Sequence, residues 1–347
     1  MLIISGLFRH KNPSISFLEE MPYVTVVVAA RNEENLISDL ITDLISQEYP
    51  LDKLEVIIVN DRSNDSTGYI LNEIEKNYAF IKIITVKEKS TIMTPKKNAL
   101  SLGIDAAKGE IIVLTDADCR VGRLWVSSMV YSVVNQNCVS IGFSTIKDDF
   151  NNWFVEYQRI DFFSIITANA GVAGWGYFWS GTGQNLAFYK SDFNSIHGFY
   201  PVKEIMSGDD MYLVQNISKI RNGYLNIDHN SFVNTKPMDK LIDFINQRIR
   251  WSSNSKININ NKPIFFAFLM NTLLFNSLIL VSALLNKPWF LFFIIKFILD
   301  WLVLFLGGKL FNTKINFLIY CLWAAIQPLY IPLIGFLGLR GKYNWKP

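Results

Sequence analysis

Ile111-Ile112-Val113-Leu114-Thr115-Asp116-Ala117-Asp118 runs from four aliphatic residues into two carboxylates one residue apart. With Gly109 before it and Arg120-Val121-Gly122 after it, the run reads as a strand buried on both faces of a mainly parallel sheet. Ligands of open α/β sheets bind beyond the carboxyl ends of the strands. An Asp-x-Asp placed there offers hard oxygen ligands to Mg²⁺ or Mn²⁺, which bind carboxylates together with substrate phosphates. A strand-ending turn is the plain alternative, because Asp is common in turns.

The residues before this run repeat its design. Tyr23-Val24-Thr25-Val26-Val27-Val28-Ala29-Ala30 reads as a strand, followed by the polar turn Arg31-Asn32-Glu33-Glu34-Asn35 and an amphipathic helix to about Ser46. Leu54-Glu55-Val56-Ile57-Ile58-Val59-Asn60 is a second strand, ending in Asp61-Arg62-Ser63. Ile81-Lys82-Ile83-Ile84-Thr85-Val86 is a third, and the spacing predicts a helix over 95–107. Strands alternating with helices mean βαβ units and a parallel sheet, so the fold class is α/β. Each strand delivers polar residues to one sheet edge, as a nucleotide diphosphate requires. Neither Gly-x-Gly-x-x-Gly nor a Walker-type phosphate loop follows the first strand, which disfavours a dinucleotide oxidoreductase or a P-loop NTPase.

Composition narrows the class further. The 347 residues are 50% hydrophobic and only 18% charged, and the mean hydropathy of +0.21 points to membrane association. A net charge of +3 is too small to argue for nucleic acid. Cys119, Cys138 and Cys321 lie far apart without a CxxC pair, so neither a disulfide framework nor a zinc site is expected. His10, His197 and His229 show no metal spacing. The opening Met1 to Phe8 is too short for an export signal and reads as a stub.

Seven short motifs in order resemble those of the inverting family 2 glycosyltransferases with a GT-A fold. They are Ala29-Ala30-Arg31-Asn32-Glu33, Val59-Asn60-Asp61, Lys97-Asn98-Ala99-Leu100, Asp116-Ala117-Asp118, Gly183-Gln184-Asn185, Gly208-Asp209-Asp210 and Gln247-Arg248-Ile249-Arg250-Trp251. Any one is weak, but their shared order is specific. The resemblance implies a Rossmann-like GT-A domain and a nucleotide-diphosphate sugar donor, most often UDP-linked. It implies donor contacts from Ala30, Asn32, Glu33, Asp61 at the base, Lys97, Asp116 at the sugar, Gln247, Arg250 and Trp251. Asp118 is implied as the ligand of Mg²⁺ or Mn²⁺, and Gly183, Gln184, Asn185 and Asp209 as the acceptor side.

Asp209-Asp210 departs from the commoner Glu-Asp form of its motif but keeps the second carboxylate. Helical spacing in Met211-Tyr212-Leu213-Val214 puts the pair at a helix N-terminus, where anions are stabilised. Direct displacement at an anomeric carbon needs one base for the acceptor proton, and Asp210 is assigned that role. An N-cap alone is the bland alternative. Gln247-x-x-Arg250-Trp251 falls on a helix expected from near Asp239. Arg250 is suited to a leaving diphosphate and Trp251 to stacking on sugar, while both also suit a bilayer interface. The aromatic stretch 153–179 carries Glu156, Arg159 and Asp161, and reads either as an interfacial helix or as one packed in a core.

From Ile264 the composition changes. Residues 264–285 and 288–306 are apolar and close to the roughly 20 residues that cross a hydrocarbon core, joined by the short break Asn286-Lys287. Lys296 and Asp300 lie four apart and can neutralise each other. A third apolar stretch, 315–339, is interrupted by Pro328 and Pro332. Three full crossings place Arg340, Lys342 and Lys346 outside, against the positive-inside tendency, unless the proline segment bends back or lies in the interface.

The organisation expected is therefore a stub at 1–22, a GT-A domain at 23–235, an interfacial helix at 236–263 and transmembrane helices with a tail at 264–347. The function expected is single transfer to a lipid or membrane-associated hydroxyl, at the cytoplasmic face of a bacterial plasma membrane. Its rivals are a processive polysaccharide synthase, for which two or three spans are few, and a non-catalytic scaffold that binds sugar nucleotide at a membrane.

Overall fold

The computed structural model describes residues 1–11, 18–147, 152–257 and 262–340. The chain divides into two compact units. One comprises Arg9–Thr145 with Val172–Lys236, and the other Met1–Phe8, Ile146–Gly171 and Pro237–Pro347.

The first unit is built on a seven-stranded sheet of order β3-β2-β1-β4-β8-β6-β9. Its strands are β1 (Val24–Ala30), β2 (Leu54–Asp61), β3 (Ile81–Val86), β4 (Ile111–Asp116), β6 (Val139–Gly142), β8 (Leu186–Tyr189) and β9 (Gly223–Asn226). β1 to β4 are mutually parallel, and β8 runs antiparallel between β4 and β6. A small second sheet joins β5 (Arg120–Val121), β10 (Val233–Thr235) and β7 (Ser144–Ile146).

Burial on both faces is why the central strands are continuous aliphatic runs. Val24, Val26, Val28, Ile58, Ile111 and Val113 pack with Ile37, Leu40, Ile41, Leu44, Trp125 and Met129 in one core. Each such fully buried side chain contributes roughly 1.5–3 kcal/mol. Register then aligns the polar tips, because Ala30 pairs with Asn60, the residue before Asp61, and Ala29 pairs with Asp116. Chain order reverses at β1, which lies between β2 and β4, and that switch point is where an open α/β sheet leaves its crevice.

The second unit is helical. The helix Trp153–Ala173 lies in it up to Gly171, so the sheet domain expected at 23–235 is interrupted by a segment that groups with the C-terminal part. Val155, Tyr157, Ile160, Phe162, Phe163, Ile166 and Ala170 are all buried, as in a core helix rather than one lying in an interface. At its centre the Arg248 guanidinium donates to Asp161 at 2.6 Å with both side chains buried, and Trp323 Nε1 donates to the same carboxylate at 3.2 Å. Removing one partner of a buried pair strands the other charge. Asp161→Ala is therefore expected to cost about 3–5 kcal/mol, read as a lowered unfolding temperature in detergent. An unchanged temperature would show that the pair does not hold these helices.

Three helices, Pro263–Leu284, Phe290–Leu310 and Phe317–Arg340, are long and apolar enough to cross a membrane. Phe317–Arg340 runs unbroken through Pro328 and Pro332, the two prolines that interrupt its apolar stretch. It packs on the helices Leu241–Ser253 and Pro263–Leu284. Its buried residues Tyr320, Trp323, Gln327, Tyr330 and Ile334 recur at helical spacing, and packing of this face outweighs the hydrogen bonds the prolines remove. Lys296 donates to Asp300 within Phe290–Leu310 as the spacing anticipated. The stub also has a place, since Leu2–Leu7 packs against Phe290–Leu310. Lys342 and Lys346 lie outside the described residues.

Candidate active site

The carboxyl edge of the sheet is assembled by cross-ties between loops. After β1, Asn32 adopts a left-handed backbone (φ 55°), and its Oδ1 accepts from the Asn64 amide at 2.9 Å. The amides of Asn32 and Glu33 donate to Ser63 Oγ and Thr67 Oγ1 at 3.0 and 2.8 Å. Asn32 and Glu33 thus fasten the β1 loop to the β2 loop, which delays the next helix to Ile37. Asp61, at the tip of β2, is buried and accepts both Nε and NH2 of Arg62, at 2.8 and 3.0 Å. Ala30 is buried beneath this edge. The Arg31 Nε is a buried donor with no partner among the described residues.

Beside it, β4 ends in the Asp116-Ala117-Asp118 turn, closed by the Cys119 amide on the Asp116 carbonyl at 3.2 Å. The helix Pro95–Ala106 brings Lys96 over this turn, where its Nζ donates to Asp116 Oδ1 at 2.7 Å and stands 3.9 Å from Asp209 Oδ2. Burial works to lower the Lys96 pKa, but Asp116 and then Asp209 outweigh it and hold the ammonium above its ordinary range, so it stays charged.

Asp209 and Asp210 open the helix Asp209–Ile220, and Gly208 before them takes φ +77°, a turn an L side chain adopts only with strain. That turn aims both carboxylates at Gly183. A Cβ on Gly183 would stand 3.4 Å from Asp209 Oδ2, 3.6 Å from Asp210 Cβ and 3.8 Å from Lys96 Nζ. Any side chain there would occupy the ground between them. Burial and the neighbouring Asp209 push the Asp210 carboxyl up to about 6, while bonds from the Met211 and Gly183 amides act in the opposite direction. A carboxylate poised there accepts a proton at neutral pH.

Two expected site residues are placed elsewhere. The lysine that reaches the carboxylates is Lys96; Lys97 is buried, with its Nζ donating to the carbonyls of Ile205 and Ser207. Helix phase separates them, since adjacent residues point about 100° apart. Asn185 is fully buried, accepting from Trp125 Nε1 and donating to the carbonyls of Phe143 and Ser231. It supports the Gly183-Gln184 loop from within and has no surface for an acceptor. The Gln184 Nε2 beside it is a buried donor without a partner among the described residues.

Gln247, Arg250 and Trp251 lie in the helical unit, on Leu241–Ser253. Gln247 accepts from Arg248, and the Arg248 guanidinium sits over the Trp251 ring at 4.2 Å. Sequence reasoning passed over Arg248 and Lys96 alike. The doubled lysine at 96 and 97 was the available signal for the second.

Among the described residues no three His, Cys, Asp or Glu side chains gather as a metal cage. Mg²⁺ and Mn²⁺ do not need one, since they bind through one or two carboxylates, waters and substrate phosphates. The acidic cluster around Lys96 already holds a cationic group between Asp116 and Asp209, and Asp118 stands two residues along the same turn.

A carboxylate cluster at the switch point of a mainly parallel sheet is an arrangement for handling a diphosphate and taking a proton. The chain belongs to glycosyltransferase family 2, whose sequence model, described as Glycosyl transferase family 2, matches residues 25–200. A probable glycosyltransferase of Bacillus subtilis, YdaM, is 36% identical over 145 residues, covering 39% of this chain and 34% of that protein. The beta-monoglucosyldiacylglycerol synthase of Trichormus variabilis is 38% identical over 114 residues, 33% of this chain and 23% of that protein. The matches thus span well under half the length of these relatives. Among solved structures, the mannosyltransferase PcManGT of Pyrobaculum calidifontis, in complex with GDP-Man and Mn²⁺, superposes with a TM-score of 0.62. The superposition covers 98% of this chain and 94% of that one at 18% identity, a likeness of fold. The fold is GT-A, followed by three helices able to span a membrane.

Proposed function

We propose that the protein is a membrane-anchored inverting glycosyltransferase that moves a sugar from a UDP-linked donor to a hydroxyl of a lipid at the cytoplasmic face of a plasma membrane. The observation that carries this reading is the meeting of Lys96, Asp116, Asp209, Asp210 and Gly183 at one sheet edge, in a chain with three apolar helices. The name of the Trichormus relative supports a glycerolipid acceptor.

Asp210 takes the acceptor proton as the hydroxyl attacks the anomeric carbon, and the bond to the diphosphate breaks on the opposite side. Asp209 keeps Asp210 basic, and Gly183 leaves room for the sugar. Lys96 orients Asp116 and adds positive charge beside the departing group. The orphaned amide of Gln184 is a donor for a sugar or acceptor oxygen. Asp118 would hold Mg²⁺ or Mn²⁺, whose charge offsets that developing on the diphosphate. No covalent nucleophile is required.

Incubating the detergent-solubilised protein with UDP-glucose, UDP-galactose, UDP-N-acetylglucosamine and GDP-mannose, each with diacylglycerol or a bacterial lipid extract, tests the reading. A single new glycolipid carrying one added sugar is expected, with UDP-linked donors preferred. A ladder of product lengths would point to polymer synthesis, and bound but unconsumed donor to a scaffold.

A further inference from the structure

We infer that Lys97 is a positioning residue, whose ammonium holds the segment leading into Gly208 and so sets where the Asp210 carboxylate stands. The inference rests on the transferase reading and gives Lys97 a task other than contact with the donor. Its side chain is among the largest fully buried ones in the chain, at 1% exposure. An ammonium is expensive to bury unless its donors are used. Here two of the three are, since Nζ donates to the Ile205 carbonyl at 2.5 Å and to the Ser207 carbonyl at 3.2 Å.

Those carbonyls belong to the last turn of chain before Gly208. The same segment is fastened again one turn away, where the Thr94 amide donates to the Lys203 carbonyl at 2.9 Å. Residues 203–207 are therefore pinned to the first turn of the helix Pro95–Ala106. That turn also carries Lys96, which faces Asp116 and Asp209. Two adjacent lysines divide the work: one meets the carboxylates directly, and the other fixes the backbone from which two of them project. Gly208, in its left-handed conformation, is free to pivot if the segment behind it moves. Misplacing a reacting group by about 1 Å can cost about a hundredfold in rate. A tether on the base's own loop therefore acts on turnover, while the nucleotide-facing edge of β1, β2 and β4 is untouched.

The test uses the full chain in detergent, with UDP binding by calorimetry and steady-state kinetics on the donor that turns over best. Lys97→Met removes both bonds and Lys97→Gln keeps a shorter neutral donor; Asp210→Asn is the control. Expected is a kcat lowered about tenfold to a hundredfold in Lys97→Met and less in Lys97→Gln. The donor KM and UDP affinity of both variants should stay within about twofold, since neither bond of Lys97 is to the donor edge. A raised donor KM with kcat intact, or UDP binding that weakens in step with turnover, overturns the inference. So does wild-type kcat in Lys97→Met when Asp210→Asn is inactive, and then only the inference falls. If the wild type consumes no donor, the transferase reading falls and takes the inference with it; if Asp210→Asn consumes donor as fast as wild type, the assignment of the base falls, and the inference with it.

Discussion

Asp210→Asn is expected to lower turnover of the nucleotide sugar by about 10³-fold, the middle of the range for a general base, with donor KM little changed. Asparagine keeps the shape of the side chain, and its one carbonyl oxygen can still accept from the Met211 amide, so the first turn of the helix Asp209–Ile220 keeps its form. What it cannot do is take a proton. In the native protein the pKa is raised to about 6, by burial first and by Asp209 second. The proposed base is therefore ionised above that pH and is lost as pH falls through it. The kcat/KM profile should show an acid limb near pH 6, and Asp209→Asn, which removes the like charge, should move that limb to lower pH. Asp210→Asn with more than a tenth of wild-type turnover would end the assignment.

Removing divalent cations is expected to reduce transfer by at least about a hundredfold, with recovery on adding Mn²⁺ or Mg²⁺. The diphosphate leaves with more negative charge than Lys96 alone can offset, since that ammonium is already engaged by Asp116. Among the described residues no three ligating side chains converge, so the protein offers a cation only part of its shell and the donor's phosphates must supply the rest. Mn²⁺ affinity should accordingly be weak in the free protein and rise when UDP is present. Reciprocally, UDP affinity should rise by the same factor with Mn²⁺. Asp118→Asn should weaken both. Turnover that survives chelation, or Mn²⁺ affinity indifferent to UDP, would remove the cation from the reading.

The stretches legible in advance are those whose physics is local. Val24 to Ala30, Leu54 to Asp61 and Ile111 to Asp116 are aliphatic because both faces of a parallel sheet are covered, so strand, class and edge follow from a few neighbouring residues. The two carboxylates at the end of β4 and the pair at Asp209-Asp210 could be located the same way, as could three apolar stretches of membrane-crossing length.

Tertiary structure decided what depends on direction and on distant partners. Lys96 and Lys97 are adjacent and chemically identical, and only the rotation of one helix turn sends the first to Asp116 and buries the second among carbonyls. Asn185 sits in a motif suggestive of substrate, yet residues from Trp125 to Ser231 close around it and consume its hydrogen bonds. Asp161 finds Arg248 across 87 positions, which draws the helix Trp153–Ala173 out of the sheet domain and into the helical unit. Periodicity reports how a segment meets solvent and core, while the choice of partner belongs to the packed chain, where burying an unmatched polar group is too costly to allow alternatives.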